Sequence, residues 1–185
     1  MARTRGRVFT PVRAFVKDEF GEEGWQRLLV RMAPQDRKIV DGLILSEGWY
    51  DVPLYQRMFD AALGEFAPEM PNLAFRIGQQ TAETLVPLFH RMLMRFGSPA
   101  GVFARAAALW KEYFDEGRME VIERGENHYR VLMYDEYARP WLPREMLPGF
   151  ASKVIEMTGH KVVEARLDSV HEGKPRAYEL YIEWR

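Results

Sequence analysis

The chain has 185 residues, a formal net charge of −1 and no cysteine. That length suits one domain able to bury a sizeable core unaided. Disulfides and cysteine-based metal sites are excluded, and the near-zero charge provides no general basic field for nucleic acid. Arg3, Arg5 and Arg7 read as a solvated N-terminal tail, with contact to phosphate or an acidic partner as the sharper alternative. Pro11, Arg13, Lys17, Asp18 and Glu19 interrupt any apolar run that would make a secretory signal. No uncharged run approaches the ~20 residues of a membrane span, so a cytoplasmic protein is expected.

Phe9, Val12, Phe15, Val16 and Phe20 recur at helical spacing, and Gly21 is expected to stop that helix. Trp25, Leu28, Leu29 and Met32 form the next stripe, and Pro34 opens a helix holding Ile39, Val40, Leu43 and Ile44. Ser46 to Asp51 reads as a connector. Asp51 then caps a helix with Pro53 in its first turn and Leu54, Tyr55, Met58, Phe59, Ala62 and Leu63 on one side. A long helix follows from about Asn72 to Phe96, which Pro87 is expected to kink or split. After Gly97, Ser98 and Pro99, a helix carries Val102, Phe103, Ala106, Leu109, Trp110 and Tyr113.

Beyond Gly117 the period changes to two. Met119, Val121 and Glu123 alternate with Glu120, Ile122 and Arg124, and a turn at Gly125 to Asn127 leads into Tyr129, Val131 and Met133, a hairpin pattern. A helix from about Arg144 to Thr158 ends at Gly159. Val162, Val163, Ala165 and Leu167 make a third strand. After a turn at His171 to Pro175, Tyr178, Leu180, Ile182 and Trp184 mark one face of a fourth. The expected class is α+β, as one domain. A helical lobe of about six helices, residues 8–116, packs on a four-stranded antiparallel ββαββ sheet, residues 117–185.

The run from Gly6 through Phe9, Phe15 and Val16 to Phe20-Gly21-Glu22-Glu23 and Trp25-Gln26-Arg27-Leu28-Leu29 resembles the start of haem NO/O2-binding domains. Those also open with a helix ending in Phe-Gly, then Trp and a Leu pair. The later order is similar too: a hairpin, a helix entered through a Pro-Gly pair (here Pro148-Gly149), and a closing hairpin. Domains of the 4-vinyl reductase type and TRAPP subunits share the ββαββ half. The chain looks closest to bacterial members of this group that lack the haem motifs. The family ligates iron with a histidine on the helix before the first strand, here about Ala100 to Glu116, yet no histidine lies between His90 and His128. It holds the haem propionates with Tyr-x-Ser-x-Arg. Here Tyr134-Asp135-Glu136-Tyr137-Ala138 puts glutamate for serine and alanine for arginine, with Arg139 one position out. The resemblance therefore implies no haem, and no cofactor is expected.

Large aromatics carry most core burial, and in the resembled fold the ligand lies between the lobes. The candidate pocket set is Trp49, Tyr55, Phe75, His90, Phe103, Trp110, Tyr134, Tyr137 and Trp141. The plainer reading of the same rings is core. His128, His160 and His171 fall at turns or strand ends and are expected in solvent, and Glu83 shares a helix face with His90 without touching it. No His-Glu-x-x-His spacing occurs. Ser46, Ser98, Ser152 and Ser169 lack a Gly-x-Ser-x-Gly setting, and the acidic pair in Gly21-Glu22-Glu23-Gly24 would repel phosphate. Asp135, Glu136 and Glu145 read as a charged loop, so no enzyme is expected. The leading expectation is a haem-free sensor for a small apolar or aromatic ligand that signals to a separate protein. Its alternatives are a TRAPP-like homodimeric scaffold, joined through the helices at Leu54 to Leu63 and Val102 to Phe114, and a haem-dependent gas sensor.

Overall fold

The computed structural model describes residues 2–93, 110–135, 146–171 and 176–185. The fold is α+β. A first strand, β1 (Arg3–Arg5), runs through a short 3-10 turn (Gly6–Val8) into α1 (Phe9–Arg31), followed by α2 (Pro34–Asp41), β2 (Trp49–Asp51), α3 (Val52–Phe66) and α4 (Leu73–Leu93). Residues 110–113 are helical. Then come β3 (Arg118–Arg124), β4 (His128–Asp135), α5 (Met146–Met157), β5 (Val162–His171) and β6 (Arg176–Trp184). The last four strands form one antiparallel sheet in the order β3-β4-β6-β5.

The break expected at Gly21 is present inside α1, where φ is 71°. That left-handed backbone, open to glycine without a Cβ penalty, lets the chain turn so that both halves of α1 bury apolar stripes. Phe9, Val12, Phe15 and Val16 come from the first half, and Trp25, Leu28 and Leu29 from the second. α3 adds Leu54, Tyr55, Met58, Phe59, Ala62 and Phe66 to the same core. Each such fully buried apolar side chain contributes about 1.5–3 kcal/mol. α4 continues through Pro87 as one helix, so the proline does not split it.

α5 lies between α4 and the sheet, touching α4 on one side and β5 and β6 on the other. The crossing with α4 has backbone against backbone. A Cβ on Gly78 would stand 2.0 Å from the Met146 carbonyl oxygen, and one on Gly149 2.0 Å from that of Phe75. Only glycine at both positions permits this approach. Lys153 pairs with Glu83 at 2.6 Å beside the crossing, which engages the glutamate expected to share a face with His90.

The inner face of the sheet presents Tyr129, Val131, Met133, Tyr178, Leu180, Ile182 and Trp184 to the common core. The register shifts at three places on the outer strands, between Val121 and Glu123, Val162 and Glu164, and Ser169 and His171. The extra residues are Ile122, Val163 and Val170, and all three are exposed. β3 and β5 are the sheet's edges, and bulges with flanking charges make such edges poor templates for another strand.

Several expectations are corrected. The N-terminal arginines are not a solvated tail: β1 pairs antiparallel with β2, from Arg3 opposite Asp51 to Arg5 opposite Trp49, and Ala2 and Thr4 are fully buried. The connector from Ser46 to Asp51 therefore contains a strand. Asp51 stands at the N-cap of α3 but makes no side-chain capping bond. Glu123 does not share a face with Met119 and Val121, because the bulge at Ile122 sends it opposite Arg130. The face of α3 proposed as a dimer surface is core.

Candidate functional site

Met1–Arg7 alternates small residues with arginines, and the fold uses that alternation. Ala2, Thr4 and Gly6 are buried while Arg3, Arg5 and Arg7 project to the other side. β1 has β2 along one edge and a bridge from Thr4 to Phe114 on the other. The Thr4 hydroxyl donates to the Tyr113 carbonyl at 3.0 Å. Arg3 donates to Asp115 from its backbone N–H at 2.6 Å and from Nε at 2.7 Å. Burial opposes ionisation of Asp115, but these bonds from Arg3 win and hold its carboxyl below the ordinary range. Arg5 and Arg3 lie over the Trp49 ring at 4.0 and 5.5 Å, and Arg7 pairs with Glu47 and lies 5.3 Å from the Tyr113 ring.

This strand links the two segments that carry Trp49 and Trp110. Trp49, half-buried on β2, is joined through β1 to the segment 110–116. There Trp110 is buried, 4.7 Å from Phe114 between ring centroids, and its indole N–H donates to the Glu116 carbonyl at 3.3 Å. The sequence signal for this arrangement was the period-two pattern of small residues and arginines.

Tyr55 is fully buried with its ring edge-on to Phe9 at 5.3 Å, and its hydroxyl donates to the Met146 thioether at 3.4 Å. Burial pushes its pKa well up. It thus ties the helical lobe to the start of α5. Phe75 is half-buried on α4, its carbonyl facing Gly149. Tyr134 is placed elsewhere. It pairs with Arg118 and Ala177, carries Arg118 over its ring at 4.0 Å, and belongs to the sheet face turned away from the helices. His90 lies on α4, but its side chain, with Phe103, Tyr137 and Trp141, is outside the described residues.

The outer sheet face carries a laced ionic layer. Arg130 forks onto Glu179 at 2.8 and 2.7 Å and reaches Glu123 at 2.9 Å. His128 is half-buried rather than solvated, with Nε2 2.9 Å from Glu123 and its ring stacked 6.0 Å from Tyr181. The hydrogen bonds from Arg130 outweigh burial and hold Glu179 below the usual carboxylate range. His160, past the end of α5, has Nδ1 3.0 Å from the Thr158 hydroxyl and is also half-buried.

No protein-family model matches the sequence, and no curated protein does. Solved structures match over 98% of the chain. An Fe(II) unliganded H-NOX protein from K. algicida aligns over 96% of its own length with a TM-score of 0.76 and 15% identity. The fold is shared with H-NOX domains. An H-NOX protein from S. oneidensis in the Fe(II)NO state gives 0.71 at 15% identity over 99% of that chain. An oxygen-binding H-NOX domain related to soluble guanylate cyclases gives 0.66 at 10% identity over 95%.

An iron-centred group of the kind those H-NOX structures hold needs an axial donor. Among the described side chains, His128 sits on the outer sheet face and His160 has Nδ1 against the Thr158 hydroxyl. Groups of three or more histidine or acidic residues able to hold a metal are also missing among the described residues. No helix among them is long and apolar enough to cross a membrane.

Proposed function

We propose that the chain is a haem-free, non-catalytic sensor module of the cytoplasm that binds a small apolar or aromatic ligand. One combined observation carries this reading. The H-NOX fold extends over 98% of the chain, while the sequence from Arg91 to Asn127, where an H-NOX-like axial ligand is expected, contains no histidine. The aromatic side chains of the core favour an apolar ligand. Trp110, Phe114 and Tyr113 lie beside β1, and Tyr129, Tyr178 and Trp184 line the inner sheet face. Such surfaces, with a few polar tips, are what small-molecule sites are made of.

The test has two arms. Purified protein titrated with haem is expected to develop no Soret band, and a stoichiometric band would overturn the haem-free reading. Native mass spectrometry of gently purified protein is expected to find a co-purifying small molecule. Bare protein that also gains no thermal stability across an apolar ligand panel would remove the sensor reading.

A further inference from the structure

The end of α1, the start of α2 and the middle of α3 border a cleft of about 300 Å³. That volume stands at the lower end of the range for small-molecule sites. None of the candidate aromatics is among the residues that line it. α3 supplies Arg57, Asp60 and Ala61, which share one side of that helix because they are spaced three and four apart. α1 supplies Arg31. It lies along α3 where Gly64 has no side chain, and a Cβ there would stand 3.5 Å from its Nη1. Met32 and Ala61 are buried and, with Ala33, give the cleft an apolar wall.

Fixed pairs orient the two guanidinium groups without using all their donors. Arg57 donates from Nε and Nη2 to Asp36 at 2.6 and 2.9 Å, and Asp36 is itself buried. Arg31 donates from Nε to Glu65, which also accepts from Nε of Arg27 at 2.7 Å. Nη1 of Arg57 and both Nη groups of Arg31 make no hydrogen bond among the described residues. Both arginine side chains are about half exposed, so solvent and solutes reach those donors. Guanidinium donors of this kind recognise a carboxylate. Asp60, one turn on from Arg57, is the acceptor for an ammonium. A simple anion would meet Asp60, and a simple cation would meet two arginines. A small molecule carrying both charges and a short aliphatic body complements all three features.

We infer that this cleft binds a free aliphatic α-amino acid. Its carboxylate lies on Arg31 and Arg57, its ammonium on Asp60, and its side chain against Met32, Ala33 and Ala61. The apolar-ligand reading concerns the aromatic core, so either site can fail without the other.

Isothermal titration of the full chain with L-alanine, L-valine and L-leucine tests the inference, with circular dichroism confirming the fold of each variant. At least one of the three is expected to bind with a Kd of about 1 mM or tighter. The matching acid without the amino group, and the matching amine without the carboxylate, should each bind about tenfold more weakly. Arg31→Gln and Asp60→Asn should each raise the amino acid's Kd about tenfold. Asp60→Asn should also narrow the preference for the amino acid over the plain acid. Arg57 is left intact, because its loss would strand the buried Asp36. In Arg31→Gln, Arg27 keeps Glu65 paired. The proposal is overturned if none of the three amino acids binds at that strength, if the plain acid or amine binds as well, or if neither variant changes the Kd.

Discussion

The α4–α5 crossing and the outer face of the sheet hold the molecule in opposite ways. At the crossing, Gly78 and Gly149 let two backbones touch, so nothing flexible stands between the helices. On the outer face, Arg130, Glu179, Glu123 and His128 join through long side chains at the edge of solvent. Packed backbone cannot yield without moving a helix, whereas exposed ion pairs rearrange and are screened. The difference shows where the fold is rigid. Any ligand admitted beside α5 must work around a crossing that does not open locally.

That contrast can be tested from its strong end. Gly149→Val should cost about 3 kcal/mol or more, since its side chain would overlap the Phe75 carbonyl. Thermal unfolding should show a drop of roughly 6–12 °C for a chain of this size. A drop no larger than that of Arg166→Gln, which stands opposite Tyr181 on the outer face and pairs with Glu164 and Asp168, would erase the distinction.

Arg3→Ala comes next. It removes one of the two bonds to Asp115 but leaves the backbone donor, so a loss of up to about 1 kcal/mol is expected in denaturant melts. Tyr55→Phe should do less despite its depth. Among the described residues the hydroxyl's one acceptor is a thioether, so removing it is expected to change stability by under about 1 kcal/mol in the same melts.

The smallest effect is one of pH. Glu179 titrates below its unfolded value because Arg130 bonds it. A carboxylate with a depressed folded pKa adds stability above its unfolded pKa, about 4.3, and loses it as pH falls through the folded value. The melting-temperature gap between wild type and Arg130→Gln should therefore narrow from pH 6 to pH 3. A gap that is constant or widens would mean that the pair is not coupled to folding.

The strands and helices of the core were legible because their apolar residues repeat at two or 3.6. Phe9 to Val16, Leu54 to Ala62 and Tyr178 to Trp184 fall where those periods put them. The three bulges were not legible. A single extra residue leaves the local pattern almost unchanged, yet it moves Glu123 to Arg130's face. β1 was missed for another reason. Its buried residues are Ala2, Thr4 and Gly6, too small to register as an apolar stripe, and its partners lie about fifty and a hundred and ten residues away.

The candidate site divides the same way. Trp49 and Trp110 could be named as aromatics, but the link between the segments that carry them is β1, which the pattern did not show. Tyr134 could be named as well, but strand register decides which side of the sheet it faces. By itself the sequence determined the class, the order of elements and the lack of a histidine between His90 and His128, because periodicity and residue identity are local properties. Tertiary structure alone decided that α3 faces inward, that Gly78 and Gly149 each meet the other helix's backbone at the α4–α5 crossing, and that the N-terminal arginines are anchored. Those outcomes depend on which distant segment supplies the partner, and no local pattern carries that information.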